Sequence, residues 1–304
     1  MVVIVAARVA TFPIPPRLRI SMPRTFPFAA LTAAWLAALL AGCQSVAFGI
    51  ANTGMSAPAA SVVYDPQHGL ALDVYRPIGP TTGRVPVVVF LYGGNWKTGE
   101  RAQYRFVGRR LAQQGVLAIV ADYRTFPRTT FPGFVEDGAG AVAWAQRHAD
   151  EYGGDPQRLF VAGHSAGAQI AALIGTDPRY LAAHGMQPRD LAGVIGLSGP
   201  YDFEITGYED VFGPEAQWPR AQAANFVDGN EPPFLLVHGT GDTVVEAKDS
   251  QELADKLRAA GGEATLLWLP EAGHLAPLVG IRAPGRQPTL IPAIRSFVTM
   301  PASQ

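Results

Sequence analysis

The stretch Val161–Gly175, VAGHSAGAQIAALIG, decides the fold. An apolar run leads into the pentapeptide Gly163–Gly167, GHSAG, and an alanine-rich run follows it. Glycines on both sides of a serine allow a strained turn from a strand into a helix, which holds the hydroxyl out over the end of a sheet. The serine also lies at a helix N-terminus, where free N–H groups favour negative charge. We therefore interpret Ser165 as a nucleophile, in preference to an N-cap in an ordinary Gly-Ser turn.

Outward from this stretch, buried strands alternate with helices. Two segments that alternate apolar and polar residues, 61–65 and 70–77, predict antiparallel strands at the start of the domain. A continuous apolar run ended by glycines predicts a strand buried on both faces at 85–94. Further strands are expected at 116–124, which is also buried, and at 155–163, 191–199, 232–239 and 264–270. Helical spacing lies between most of them. The alternation predicts an α/β fold whose mostly parallel central sheet carries helices on both faces.

Two further side chains with catalytic potential follow late strands of this sheet. Asp242 lies in the loop after the strand at 232–239, and His274 lies in the loop after the last strand. A buried carboxylate can hold a histidine in one tautomer, and that histidine can act as general base and then general acid for a serine. Asp242 could instead form an Asx turn or a helix cap. Asp202 and Glu246 are its competitors, and we expect Asp202 to shape the pocket.

The order Ser165, Asp242, His274 is that of the α/β-hydrolase fold. With YGGNWKTGE, FPGFVEDGAGAVAWAQRHA and YGGDPQRLFVAGHSAGA, the chain resembles an α/β-hydrolase serine esterase of the carboxylesterase group, near the hormone-sensitive-lipase-like and bacterial feruloyl-esterase-like enzymes. The likeness covers roughly residues 61 to 299. It implies one catalytic domain with a minimal cap, which would lie between two late strands at 208–232.

The loop Tyr92–Trp96, YGGNW, resembles the HGGG-type oxyanion loop of such esterases. Tyr92 replaces the leading histidine and Asn95 replaces the last glycine, so the identity of the donor pair stays open. The resemblance implies that the N–H groups of Gly94, Asn95 and Ala166 bind the oxyanion. The alternative for this loop is a plain turn.

The predicted reaction is hydrolysis of a carboxylic ester through an acyl-enzyme on Ser165, on short-chain or small aryl esters. Aromatic residues near the strand ends could line the acyl pocket, foremost among them Trp96, Phe126, Tyr201 and Phe203. An arylformamidase-like amidase and an envelope acyltransferase would use the same triad. A non-catalytic surface lipoprotein is the remaining alternative, because a fold does not fix a function.

Composition excludes several other classes. The chain has 304 residues with net charge -1, which gives no support for nucleic-acid binding. It carries no HExxH motif and no cluster of cysteine and histidine for a metal, and no GxGxxG motif followed by a ribose-binding acid for a dinucleotide. We therefore expect no cofactor. The oligomeric state does not follow from the sequence.

The N-terminal residues have the features of an export signal. Arg24, an apolar run and the ending Leu40–Cys43, LAGC, predict a lipoprotein-type signal over 1–43 that resembles a bacterial lipobox, with Cys43 lipidated. Met22 is an alternative start. An ordinary signal peptide or a membrane anchor are the competing interpretations. The small and polar segment 44–60 would tether the catalytic domain, 61–299, to the membrane of the bacterial cell envelope.

Overall fold

The computed structural model describes residues 46–79 and 81–300. A single eight-stranded sheet runs through this part of the chain, with the strand order β1-β2-β4-β3-β5-β6-β7-β8. The strands are β1 Ala60–Asp65, β2 Leu70–Tyr75, β3 Val85–Leu91, β4 Leu117–Ala121, β5 Gly154–His164, β6 Gly193–Leu197, β7 Phe234–Gly239 and β8 Ala264–Leu269.

The helices of the described residues vary widely in length. The α-helices are α1 over 46–52, α2 Arg105–Ala112, α3 Gly133–His148, α4 Ala166–Thr176, α5 Pro178–Ala182, α6 Glu209–Phe212, α7 Ala247–Ala259, α8 Ala276–Arg282 and α9 Leu290–Thr299. Short 3₁₀ helices extend or connect several of them.

The pairing of the strands follows the sequence prediction. β1 pairs with β2 and β2 with β4 in antiparallel register, whereas all pairs from β4 through β3, β5, β6 and β7 to β8 are parallel. Every residue of β3, β4, β6 and β7 is buried. Strands of this kind have no solvent face, so they appear in the sequence as unbroken apolar runs.

Helices cover the sheet in two groups. α3, α4 and α5 contact one another, and α3 and α4 pack on β3, β5 and β6. α2 packs on β2 and β4 and contacts α8, which in turn contacts α9. The predicted layering of helices, sheet and helices is therefore present.

The connection between β6 and β7 contains the predicted minimal cap. Its helices are short: α6 has 4 residues, and the 3₁₀ helices Glu215–Ala221 and Ala223–Phe226 have 7 and 4. Phe212 of α6 packs against Trp96 with ring centroids 4.8 Å apart. The segment forms a wall beside the ends of the strands rather than a separate domain.

Part of the segment 44–60, predicted as a tether, contacts the domain. Phe48 of α1 lies 4.9 Å from Tyr104, between ring centroids. Asn52 donates from its side chain to the carbonyl of Gln103 and accepts from the N–H of Phe106. The predicted signal over 1–43, including Cys43, lies outside the described residues. Within residues 46–79 and 81–300, none of the helices has the length and apolar character needed to cross a bilayer.

Candidate active site

Ser165 lies in a strained turn between β5 and α4. Its φ is 54° and its ψ is -123°, a backbone conformation that residues other than glycine rarely adopt. A Cβ on Gly163 would lie 2.1 Å from the carbonyl oxygen of Gly167, and a Cβ on Gly167 would lie 2.1 Å from that of Leu91. Both flanking glycines are therefore required by close backbone packing, as the pentapeptide predicts. Such strain costs about 1–3 kcal/mol and is found preferentially at functional sites.

The structure brings the three predicted catalytic side chains into one hydrogen-bonded chain. His274 Nε2 lies 2.9 Å from Ser165 Oγ, and His274 Nδ1 lies 2.8 Å from Asp242 Oδ2. Ser165 comes from the end of β5, Asp242 from the loop after β7, and His274 from the loop after β8. All three lie at the carboxyl edge of the parallel strands, where ligands of such sheets bind. The arrangement suits proton transfer from the serine hydroxyl to the imidazole.

The Asp242 carboxylate is held by donors on both oxygens. Oδ1 accepts hydrogen bonds from the backbone N–H groups of Val244, at 2.9 Å, and Val245, at 3.0 Å. Burial alone would raise the pKa of Asp242, but the N–H of Val245 and the contact with His274 hold that pKa below its ordinary value. The carboxylate is therefore ionised at neutral pH.

Three backbone N–H groups beside Ser165 have no acceptor among the described residues. They belong to Gly94, Asn95 and Ala166, the donors that the sequence resemblance implies. Ala166 is the first residue of α4, so its N–H has no partner within the helix. Gly94 and Asn95 have φ values of 139° and 54°, so this loop has an unusual backbone at both positions. An anion next to Ser165 could accept from these groups.

Tyr92 has the position of the leading histidine of an HGGG-type loop, and its ring packs in the core beside the loop. It is buried, and its ring lies between those of Tyr123, at 4.5 Å, and Tyr104, at 5.5 Å. The Tyr123 hydroxyl donates to the carbonyl of Tyr92 at 2.6 Å. A stack of aromatic rings therefore fixes the start of the loop.

A cavity of about 230 Å³ opens beside Ser165. Of the four aromatic residues predicted for the acyl pocket, Trp96 and Phe203 line it, with their rings stacked 5.5 Å apart. Tyr208 also lines it.

The other two predicted aromatic residues lie elsewhere. Tyr201 is fully buried and belongs to the core, where its hydroxyl lies against Gly196 and Gly199. Phe126 is half-buried next to Lys97, whose ammonium nitrogen lies 5.6 Å from the centre of its ring. Neither residue lines the cavity. Both residues closely follow a strand in the sequence, but their rings pack against other side chains instead of lining the cavity.

Acidic side chains surround much of this cavity. Its lining includes one lysine and four carboxylates, namely Lys248, Asp202, Glu204, Glu246 and Asp249. Lys248 is paired with Glu246 at 2.5 Å. Asp202, the competitor for the acid of the triad, lies 3.4 Å from Lys256 and has no contact with His274.

Two histidines that the sequence did not single out contact the triad. His238, at the end of β7, lies with Nε2 3.2 Å from Asp242 Oδ2, and both side chains are fully buried. His164 lies with Nε2 3.0 Å from the carbonyl oxygen of His274. His238 also has a local hydrogen bond, to the hydroxyl of Ser250 at 2.7 Å. The motif HGTGD was the available signal, because it places a histidine at the end of the strand that leads to the acid.

One group of side chains elsewhere has the composition of a cation site. Potential ligand atoms of Asp65, His68 and Asp137 lie within 4.8 Å of one another. Asp65 is already paired with His68 at 2.6 Å, and Asp137 binds the Arg124 guanidinium through both oxygens. The positive charge of Arg124 opposes a metal ion there, and none of the three residues lines the cavity beside Ser165.

Comparison with protein families gives one match that covers most of the domain. A family model described as BD-FAE matches residues 72–257. Esterase LipC of Mycobacterium tuberculosis is 33% identical over 242 residues, which cover 70% of this chain and 58% of that protein. The chain spans between half and three fifths of the length of the curated relatives it matches.

Solved structures of an esterase have the same fold. Esterase 2 of Thermogutta terrifontis with propionate bound is 25% identical, with a TM-score of 0.68 over 79% of this chain and 93% of that chain. A structure of the same esterase phosphorylated by paraoxon is 27% identical, with a TM-score of 0.62 over 71% of this chain and 83% of that chain. The α/β-hydrolase fold expected from the sequence is thereby confirmed.

Proposed function

Because the chain belongs to the BD-FAE family of α/β-hydrolase esterases, we propose that it hydrolyses carboxylic esters through an acyl-enzyme on Ser165. The observation that carries this proposal is the unbroken chain of hydrogen bonds from Ser165 through His274 to Asp242. A nucleophile, a base and a group that orients the base are what acyl transfer to serine requires.

In the first half of the reaction, His274 Nε2 removes the proton from Ser165 Oγ as the oxygen attacks the ester carbonyl carbon. The carbonyl oxygen becomes an oxyanion and accepts hydrogen bonds from the N–H groups of Gly94, Asn95 and Ala166. The ionised Asp242 stabilises the imidazolium that forms on His274. His274 then donates its proton to the leaving alcohol, and the acyl group stays on Ser165.

In the second half, water takes the place of the alcohol. His274 removes a proton from the water, the hydroxide attacks the acyl carbon, and the same N–H groups bind the second oxyanion. Collapse of this intermediate breaks the bond to Ser165 Oγ, which regains its proton from His274. The products are a free carboxylic acid and the resting enzyme.

The size of the cavity favours small acyl groups. A volume of about 230 Å³ is below the range of about 300–1,000 Å³ usual for drug-sized ligands. The stacked rings of Trp96 and Phe203 give it an apolar wall. The structural neighbour with bound propionate agrees with a site for short acids.

Turnover of p-nitrophenyl acetate, butyrate and decanoate tests both reaction and size. We expect the acetate or the butyrate to have the highest kcat/KM and the decanoate to be turned over at least about tenfold more slowly, since a long chain leaves apolar surface in water. Paraoxon should add one diethyl phosphoryl group to the protein, on Ser165 in peptide mass spectra. A folded protein that hydrolyses none of the esters and is not labelled would contradict the proposal.

The other candidate reactions are separated by their substrates. An acyltransferase would pass the acyl group to an added alcohol faster than to water. An amidase of the arylformamidase kind would prefer an N-formyl aryl amine to its matched ester. A lipoprotein that only binds would show neither activity.

The charges around the cavity narrow the substrate class further. The four carboxylates of its lining face two ammonium groups, Lys248 beside Glu246 and Lys256 at 3.4 Å from Asp202, and burial raises the pKa of Asp249 to about 7. At pH 8 the site therefore carries a surplus of negative charge. Negative potential attracts cationic substrates and repels anionic ones. We propose that the preferred esters are neutral or cationic and that esters with a free carboxylate are poor substrates.

Matched esters measure this preference. We expect choline butyrate to exceed its neutral carbon isostere, 3,3-dimethylbutyl butyrate, by roughly fivefold in kcat/KM at low salt, and we expect added salt to reduce the ratio. Glu204→Gln should lower the ratio, whereas Glu263→Gln, an equal charge change on an exposed residue outside the cavity, should not. A ratio of one for the unchanged protein would refute the charge preference and leave the esterase activity intact.

A further inference from the structure

His238 contributes a second imidazole to the triad. It lies at the end of β7 with a fully buried side chain. Its Nε2 faces two oxygens, the carbonyl of Val245 and Oδ2 of Asp242, each 3.2 Å away. Its Nδ1 lies 2.7 Å from the hydroxyl of Ser250, on α7.

These contacts fix the tautomer of His238. A carbonyl and a carboxylate oxygen can only accept, so Nε2 must carry a proton. Burial lowers the pKa of His238, which keeps the ring neutral, and Nδ1 must then accept a hydrogen bond from the Ser250 hydroxyl. His238 therefore carries an N–H that donates to the carbonyl of Val245 and lies beside Oδ2 of Asp242, with Nε2 3.2 Å from that oxygen.

The two histidines share one oxygen of Asp242. His274 Nδ1 and His238 Nε2 both contact Oδ2, at 2.8 and 3.2 Å, whereas Oδ1 is occupied by two backbone N–H groups. The positive end of an N–H dipole 3.2 Å from this oxygen stabilises the carboxylate without help from His274. It thereby reduces the stabilisation that Asp242 gains when His274 becomes an imidazolium.

We infer that His238 is a positioning residue that extends ester hydrolysis to lower pH. Its N–H partly neutralises the charge on Asp242 Oδ2, so Asp242 stabilises a protonated His274 less and His274 remains a neutral base there. The inference rests on the proposed function, since His238 acts only through the triad. Without this N–H, only His274 contacts Oδ2 of Asp242. The carboxylate then stabilises the protonated imidazole of His274 more strongly. The acid limb of the pH–rate profile should then move to higher pH.

The other groups that face His274 cannot produce the same effect. The His164 ring lies 4.9 Å from the His274 ring, from the end of β5. Burial, and next the neighbouring His274, lower the pKa of His164 to about 3, so it stays neutral throughout an assay. Ser165 from the turn and Ser250 from α7 carry no charge in that range, which leaves Asp242 and His238.

A pair of substitutions at His238 tests the inference. His238→Leu replaces the imidazole with an apolar side chain of similar size and so removes the N–H. We expect the midpoint of the acid limb of kcat/KM, measured with p-nitrophenyl butyrate, to rise by about 0.5–1 pH unit. His238→Gln places an amide N–H close to the position of Nε2 and should bring the midpoint back to within about 0.3 unit. His184→Leu, the same change at an exposed histidine, is the control.

A purely structural role would give a different result. His238→Leu would then lower activity by one factor at every pH and leave the midpoint in place, which would overturn the inference. Should the leucine variant not fold, His238→Asn takes its place, because its shorter amide reaches the Nδ1 position and not Asp242. The same midpoint shift is then expected, and its absence has the same meaning.

An NMR measurement separates this inference from the proposed function. In protein labelled with ¹⁵N-histidine, the His238 signals should show the neutral Nε2–H tautomer from pH 5 to 9, and the titration midpoint of the His274 signals should rise in His238→Leu. A chain that hydrolysed no ester would refute the proposed function, and these spectra would still decide the role of His238. An Nδ1–H tautomer would overturn it.

Discussion

The Asp242→Asn variant is expected to lose about 10⁴-fold in kcat for ester hydrolysis, although one carboxylate oxygen is replaced by a nitrogen of nearly equal size. The direction of the new amide decides this result. The backbone N–H groups of Val244 and Val245 both donate to Oδ1 of Asp242, so the amide oxygen of the asparagine must take that place. Its NH₂ group then faces His274 Nδ1.

An NH₂ group at that place holds His274 in the wrong tautomer. Nδ1 of His274 would have to accept a hydrogen bond from the amide, so Nε2 would carry the single proton of the neutral ring and point it at Ser165. A ring in this state cannot take the serine proton. The second neighbour of Oδ2, the N–H of His238, would also meet a donor instead of an acceptor.

Steady-state kinetics with p-nitrophenyl butyrate, at enzyme concentrations high enough to follow slow turnover, would measure the loss. Asp255→Asn is the matched control, since Asp255 is exposed on α7 and contacts only Gln251 and Arg258. The control should retain activity within about twofold. An Asp242→Asn variant with more than a few per cent of the activity of the parent would show that Asp242 does not orient His274.

Ser165→Ala should lower kcat by roughly 10⁴- to 10⁶-fold, because the nucleophile is lost while the cavity and its N–H groups remain. Groups that act as one unit are not additive. The double variant Ser165→Ala with His274→Ala should therefore be about as active as either single variant.

Kinetics and labelling would check this prediction together. Ser296→Ala, on the exposed side of α9, controls for the loss of a serine hydroxyl elsewhere. Ser165→Ala should also take up no phosphoryl group from paraoxon, whereas Ser296→Ala should be labelled fully. If losses in the double variant multiplied, Ser165 and His274 would act independently and the acyl-enzyme mechanism would be refuted.

The triad could be predicted because each member follows a strand of the parallel part of the sheet. The carboxyl half of each of these strands is largely apolar and is followed closely by glycine or proline, and parallel strands place their carboxyl ends at one edge. Ser165, Asp242 and His274 therefore had to lie near one another, although they are far apart in the sequence. The strand assignments were accurate for the same reason.

His238 and Tyr201 could not be placed in this way. Every residue of β7 is buried, so no alternation of polar and apolar residues shows which way the His238 ring points. Tyr201 lies in the loop after β6, and a loop has no periodicity that separates a residue of the core from one of the pocket wall. Only the packed structure distinguishes the two.

Short helices were also missed. α8, Ala276–Arg282, contains Pro277 in its first turn and Gly280 near its end, which look like signals for a loop. Proline is tolerated in a first turn, and Leu278 and Ile281 are buried three residues apart on one face. Tertiary packing of this face stabilises a helix for which the local sequence gives little support.

The position of Ser165 within the sheet bears on how relatives of this chain could diverge. β5 pairs with β3 on one side and β6 on the other, so the reactive side chain is anchored in the middle of eight strands. Phe203, Glu204 and Tyr208, which line the cavity, belong instead to a connection of loops and helices of at most seven residues. Substitutions in that connection change the stability of the fold only slightly, so they can accumulate there. One ancestral chemistry can thus be passed on unchanged while descendants acquire different substrates.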